Sequence, residues 1–137
     1  MKFITTALII IFLFSQCQEI EKDQIKPFIE GTYVSSYATK YSIGNDTLEI
    51  SALSKDGNNY HINRYVTYQR IRNGKLLAKE SKQEQWLCIY KATERILYET
   101  KAGKIISFIP EGDKLLVGNT PYRKIGNQYV RKFKLSF

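Results

Sequence analysis

One stretch of this chain interleaves aromatic rings and guanidinium groups at a spacing that suits ligand binding. Tyr60, Arg64, Tyr68 and Arg70 lie an even number of residues apart. On an extended strand their side chains therefore project to one side, at intervals of about 7 Å or multiples of it. Ile62 and Val66 share that side. Guanidinium offers a bidentate fork to acidic groups and a phenol ring offers a flat contact, so a cavity lined this way suits a small apolar or acidic ligand. An inward arginine needs a counter-charge or water, because an unpaired buried charge is costly. Glu49 and Glu99 are the candidate carboxylates. Alternation sets Glu49 opposite Leu48 and Ile50, on the outer side, which leaves a bound anion or water as the expected partner.

Other chemistries lack their parts. His61 is the only histidine, so neither a triad with a spare base nor a multi-histidine metal centre can be assembled. It falls on the side opposite Tyr60. Cys88 alternates with Trp86 and Tyr90 and has no base beside it, the pattern of a small buried apolar residue and not of a nucleophile. Glu19 and Glu21 sit in a polar stretch where nothing would desolvate them. Glu80 and Glu84 belong to no recognisable motif, and no glycine-rich phosphate loop follows a strand. The chain reads as a non-enzyme, with no cofactor and no metal.

The elements that must position these residues are short strands. Ten Tyr, seven Phe and one Trp against three Pro favour pleated, half-buried surfaces. Alternation predicts strands over 31–37, 47–53, 60–71, 82–90, 95–100, 104–109, 114–117 and 122–125, with 76–84 read as continued strand in preference to a helical turn. Turn chemistry separates them. Ile43-Gly44-Asn45-Asp46 reads as a turn, Lys55-Asp56-Gly57-Asn58-Asn59 as a second, and Asn73-Gly74 as the clearest hairpin. Eight or so strands at regular spacing predict an all-β fold, a small antiparallel up-and-down meander that closes or curls strongly so as to manage its edges. Trp86, Cys88 and Tyr90 are expected on its core face, with Leu87 and Ile89 on the other. Phe133, Leu135 and Phe137 are read as the inward side of a closing or loosely paired last strand.

The front of the chain has a different character. Lys2 precedes an apolar core from Ala7 to Phe14, and Ser15-Gln16-Cys17 closes it. A charged start, a short apolar middle and a small-residue exit describe a secretory signal. The apolar run is too short to span a membrane, which needs about 20 such residues. With its cysteine at the exit, the segment resembles the lipobox of bacterial lipoproteins of the Bacteroidota kind. Phe14 and Gln16 replace the usual Leu and small residue. The resemblance implies cleavage after residue 16, lipidation of Cys17 and anchoring in the cell envelope at the outer membrane, facing the periplasm or the surface. It divides the chain into a signal peptide (1–16), a polar tether (17–30) and one β domain (31–137). The number and spacing of the strands resemble small lipocalin-like barrels, with Gly31-Thr32-Tyr33 where lipocalins carry Gly-x-Trp.

The full chain has a net charge of +8, and loss of Lys2 with the leader would leave +7. That balance suits anionic partners, although no polybasic run concentrates it. Nucleic acid is not an expected partner of an exported protein. With Cys17 lipidated, Cys88 is the sole remaining thiol, so the domain must rely on its core and not on a disulfide. Two functions follow as expectations. One is binding of a small apolar or acidic ligand in the barrel cavity through Tyr60, Arg64, Tyr68 and Arg70. The alternative is an interaction subunit of an envelope or conjugation-type assembly that uses an outer sheet face.

Overall fold

A computed structural model describes residues 23–126. Residues 1–16, read above as a signal peptide, Cys17 and the alternating C-terminal residues Phe133, Leu135 and Phe137 lie outside the described residues. Eight strands, each antiparallel to the next, form a meander whose first strand pairs back onto its last to close a barrel. They are β1 (Gly31–Ala38), β2 (Ser42–Ala52), β3 (Asn59–Arg72), β4 (Lys75–Lys91), β5 (Ile96–Glu99), β6 (Ile105–Ile109), β7 (Lys114–Val117) and β8 (Thr120–Gly126). The expected all-β up-and-down barrel is what the chain forms.

Alternation decides which face of each strand is buried. On β2, Leu48 and Ile50 are buried while Glu49 between them is not. On β4, Trp86, Cys88 and Tyr90 enter the core while Leu87 and Ile89 stay exposed. Ile62, Leu97, Ile106 and Leu115 complete a continuous apolar interior. Asn73 and Gly74 both adopt positive φ (52° and 75°) in the β3–β4 turn, the geometry of a tight hairpin whose twist matches its strands.

Closure depends on Gly31. Its φ is +144°, and a Cβ there would lie 2.3 Å from the carbonyl oxygen of Gly126. Any side chain at this position would push β8 off β1.

Two boundaries differ from the sequence reading. Gly44 and Asp46 lie within β2, and the β1–β2 connection sits at residues 39–41. Gly44 is required by packing and not by a turn, since a Cβ there would fall 2.6 Å from the Tyr37 hydroxyl and 2.7 Å from its ring. Glycine written for close approach looks the same in sequence as glycine written for a turn.

The second correction concerns the tether, whose last residues are part of the domain. Ile25 and Ile29 are buried on either side of a 3-10 turn at Lys26–Phe28. The Phe28 ring meets Tyr33 and Phe108 edge-on, at centroid distances of 5.9 and 6.2 Å. The Tyr33 hydroxyl donates to the Phe28 carbonyl at 2.7 Å, Lys124 Nζ donates to the same carbonyl at 2.6 Å, and the Tyr90 hydroxyl donates to Asp23 at 2.6 Å. Glu30 accepts from the Ala52 amide at 2.7 Å. This segment plugs one end of the barrel.

The opposite end is uneven. Strands β3 and β4 have 14 and 17 residues, whereas β5, β6 and β7 have four or five. The β3–β4 hairpin therefore overhangs the rim, with residues 75–83 all exposed.

If the plug is core, Ile29→Ala should cost about 2–5 kcal/mol in chemical denaturation. A loss within about 0.5 kcal/mol would return the segment to the status of a tether.

Candidate functional site

The inner face of the barrel changes character toward the overhanging end. Below it the interior is aliphatic and aromatic; at this level it carries Asp46, Arg64 and Glu84. Cross-strand registration builds the group, with Arg64 on β3 opposite Glu84 on β4, and Asp46 on β2 opposite Val66, two residues from Arg64. All three sit on the inward side of their strands.

Both carboxylates engage Arg64. Its Nε lies 3.1 and 3.0 Å from the two Asp46 oxygens, and Nη2 donates to Asp46 Oδ2 at 2.7 Å. Its Nη1 donates to Glu84 Oε2 at 3.1 Å. The same Glu84 oxygen accepts from the Trp86 indole at 3.1 Å, and Lys82 Nζ approaches the other at 2.8 Å. The Tyr122 hydroxyl crosses from β8 to donate to Asp46 at 2.8 Å. The guanidinium carbon stands 5.6 Å from the Trp86 ring centroid and Lys104 Nζ stands 5.0 Å from it. Hydrogen bonding to Asp46 raises the Arg64 pKa further and fixes its charge. The Lys82 ammonium, ahead of burial and of Arg64, leads in setting the Glu84 pKa, which falls to about 2 from an ordinary 4.5. Burial, followed by the bond to Asp46, raises that of Tyr122.

The four residues singled out from sequence separate. Tyr60 is buried, 3% exposed, within the plugged half of the core. Arg64 faces inward as alternation requires, but its partners are the protein's own Asp46 and Glu84, so the expected bound anion or water is replaced by internal carboxylates. Glu99, one of the two carboxylates considered, is inward and buried, yet its oxygens accept from the turn amides of Lys101 and Ala102 at 3.0 and 2.7 Å. Arg70 lies on the overhang with its side chain 64% exposed, 3.3 Å from Glu80 and 5.9 Å from the Tyr68 ring. Tyr68 is half-buried beside it. The four do not converge on one enclosed space.

Asp46, Glu84 and Tyr122 are the functional-looking residues that sequence reasoning missed. A signal for two of them existed, since Asp46 keeps the even spacing of Leu48 and Ile50, and Glu84 keeps that of Trp86 and Cys88. Turn-like neighbours concealed the first. Tyr122 carries no such signal, because its contact with Asp46 spans the chain.

Cys88 is buried, and burial pushes its thiol up to about 12, which keeps it in the unreactive form. Among the described residues no cluster of three or more His, Cys, Asp or Glu side chains is arranged to hold a metal ion. Open clefts mark the surface formed by the described residues. One, of about 370 Å³, lies between the β1–β2 hairpin and the overhang, beside Tyr37, Ile43, Tyr68, Gln69 and Lys79. The other, of about 470 Å³, lies where β1 and β8 part.

Comparison with protein families, with curated proteins and with solved structures returns no match.

The charge network should leave a signature in acid. A carboxylate whose folded pKa lies below its unfolded value adds stability above the unfolded pKa and loses it as pH falls through the folded one. Glu84 therefore contributes fully above about pH 4.5 and loses that contribution toward pH 2. Unfolding free energies of the wild type and Glu84→Gln should differ at pH 6 and converge as pH approaches 2. A gap that stays constant across this window would remove Glu84 from the network.

Proposed function

We propose that this chain is a non-catalytic, lipid-anchored envelope protein whose barrel is a rigid support for an outer face that binds a protein partner. The observation that carries the reading is a row of exposed apolar side chains on β4, β5 and β6. Ile89 is the register partner of Tyr98, and Tyr98 of Ile105. Leu87 adjoins Ile89 two residues back on the same face. Leu87, Ile89 and Ile105 are 55%, 41% and 51% exposed. Isolated exposed aliphatics call for no explanation, but neighbours on adjoining strands, about 4.8 Å apart in the pairing direction, make a continuous patch. Lys91 Nζ stands over the Tyr98 ring at 4.6 Å, and His61 on β3 flanks Leu87. An apolar centre with a cationic, polar rim has the anatomy of a protein interface.

A small ligand inside the barrel is the weaker proposal. The Arg64 fork is occupied by Asp46 and Glu84, and the interior beneath is filled by Ile, Leu and Tyr. The outer face suffers neither objection.

A photo-crosslinking residue placed at position 89 in cells should give one discrete adduct, while the same residue at exposed position 81 should not. Tyr98→Arg should abolish the adduct while the protein still accumulates folded. No adduct, or the same ladder from both positions, would sink the interface. Anchoring is tested separately. Cys17→Ser should leave the membrane fraction or accumulate unprocessed, because diacylation contributes membrane affinity at about 0.8 kcal/mol per buried methylene. Unchanged fractionation and processing would remove the lipid.

A further inference from the structure

Two cations face each other across β7 and β8 at a place the proposed interface does not use. Lys114 and Arg123 are register partners, and among the described residues neither forms an ion pair. Like charges directly opposite on neighbouring strands destabilise a sheet. Among the described residues no ion pair joins Glu111 or Asp113 to either cation, and neither acid lines the cleft.

The pair stands at the wall of the cleft between β1 and β8. The last register pair of these strands is Val34 with Arg123. Beyond it they diverge and leave an open space of about 470 Å³ whose lining includes Val34, Ser36, Lys114, Pro121 and Arg123 on the outer side and Ser35 and Tyr122 on the inner. The Ser36 hydroxyl is committed to Asn45 at 2.7 Å. Ser35 stands opposite Asp46, on the inward face of β1, so its side chain points away from the two cations. A guanidinium fork and an ammonium on one space match an anionic acceptor that takes charged hydrogen bonds from two sides at once. Val34 and Pro121 add an apolar wall for whatever carries the charge.

We propose that this cleft binds a tetrahedral oxyanion, the phosphoryl group of a phosphate ester, with Arg123 and Lys114 as its charge partners. The carrier is a soluble phosphate ester or a phospholipid headgroup, which share this chemistry. Occupation converts a repulsive cross-strand pair into two attractive contacts and ties β8 more firmly into the closed sheet. Binding and barrel stability are therefore linked.

Thermal unfolding of the purified full chain in neutral detergent tests the site. Inorganic phosphate should raise Tm by a few degrees, saturably, beyond sodium chloride of equal ionic strength. Lys114→Gln and Arg123→Gln should each match or exceed the wild-type Tm in chloride, since the repulsion is gone, and each should lose the phosphate increment. Glycerol phosphate reproducing the increment would assign a soluble ester. Short-chain phosphatidylglycerol doing so alone would assign a headgroup. Phosphate no better than chloride, or variants that keep the full increment, would overturn the proposal.

Discussion

A closed sheet of this size depends on one short seam. Between β1 and β8 the register holds for three pairs, Thr32 with Gly126, Tyr33 with Lys124 and Val34 with Arg123, with a shift between the first two. Gly31 permits the approach, and Lys124 reaches from the seam to the plug, its ammonium 4.2 Å from the Phe28 ring. Sheet edge, core and plug are thereby fastened at one place. The long β3–β4 pairing gains nothing without it, because an open meander would expose two edges whose unpaired amides and carbonyls invite association. The seam is short because β1 and β8, of eight and seven residues, part beyond Val34 and Arg123, and that divergence opens the adjoining cleft.

The second constraint is the charge within the barrel. Arg64 sits where the filled core gives way to the open rim. Asp46 takes it bidentately, Glu84 takes a third donor, and Tyr122 and Trp86 supply the carboxylates with hydroxyl and indole donors. A buried ion pair is weak evidence of net stabilisation, because desolvation offsets much of the attraction, but it is costly to break from one side. Its effect here is on geometry. Strands β2, β3, β4 and β8 all contribute to one hydrogen-bonded group, which fixes their relative register more narrowly than interchangeable aliphatic contacts do.

The fold was legible because alternation is a local signal. The inward face of β4 could be read from Trp86, Cys88 and Tyr90, and that of β3 from Tyr60, Ile62 and Val66, with no knowledge of their neighbours. The candidate site was legible only by half, for the same reason. Period two says that Arg64 points inward, but not which of several carboxylates meets it. That depends on the β2–β3 register and on the return of β8, both non-local. Gly44 misled because glycine serves turns and close packing alike. Ile25 and Ile29 were missed because two aliphatics in a polar stretch carry no periodicity, and the plug they form becomes visible only when Tyr33, Tyr90 and Lys124 converge on it.

Closure also limits where this molecule can engage anything else. Among the described residues β4 pairs β5 only over Cys88–Lys91, so strand addition is confined chiefly to the overhanging part of β4, and with a filled interior and an occupied arginine, the barrel lumen offers little. Beyond that edge there is the outer surface, where the side chains are not needed by the core. Leu87, Ile89 and Ile105 alternate with buried residues on the same strands, so their exposure is a consequence of correct register and not of a defect in packing. The core half of each strand fixes orientation and the outer half is free to vary in chemistry. On such a scaffold the residues that stabilise and the residues that recognise are interleaved in sequence and separated in space, and an apolar row on the outside can be maintained without disturbing the packing of the interior.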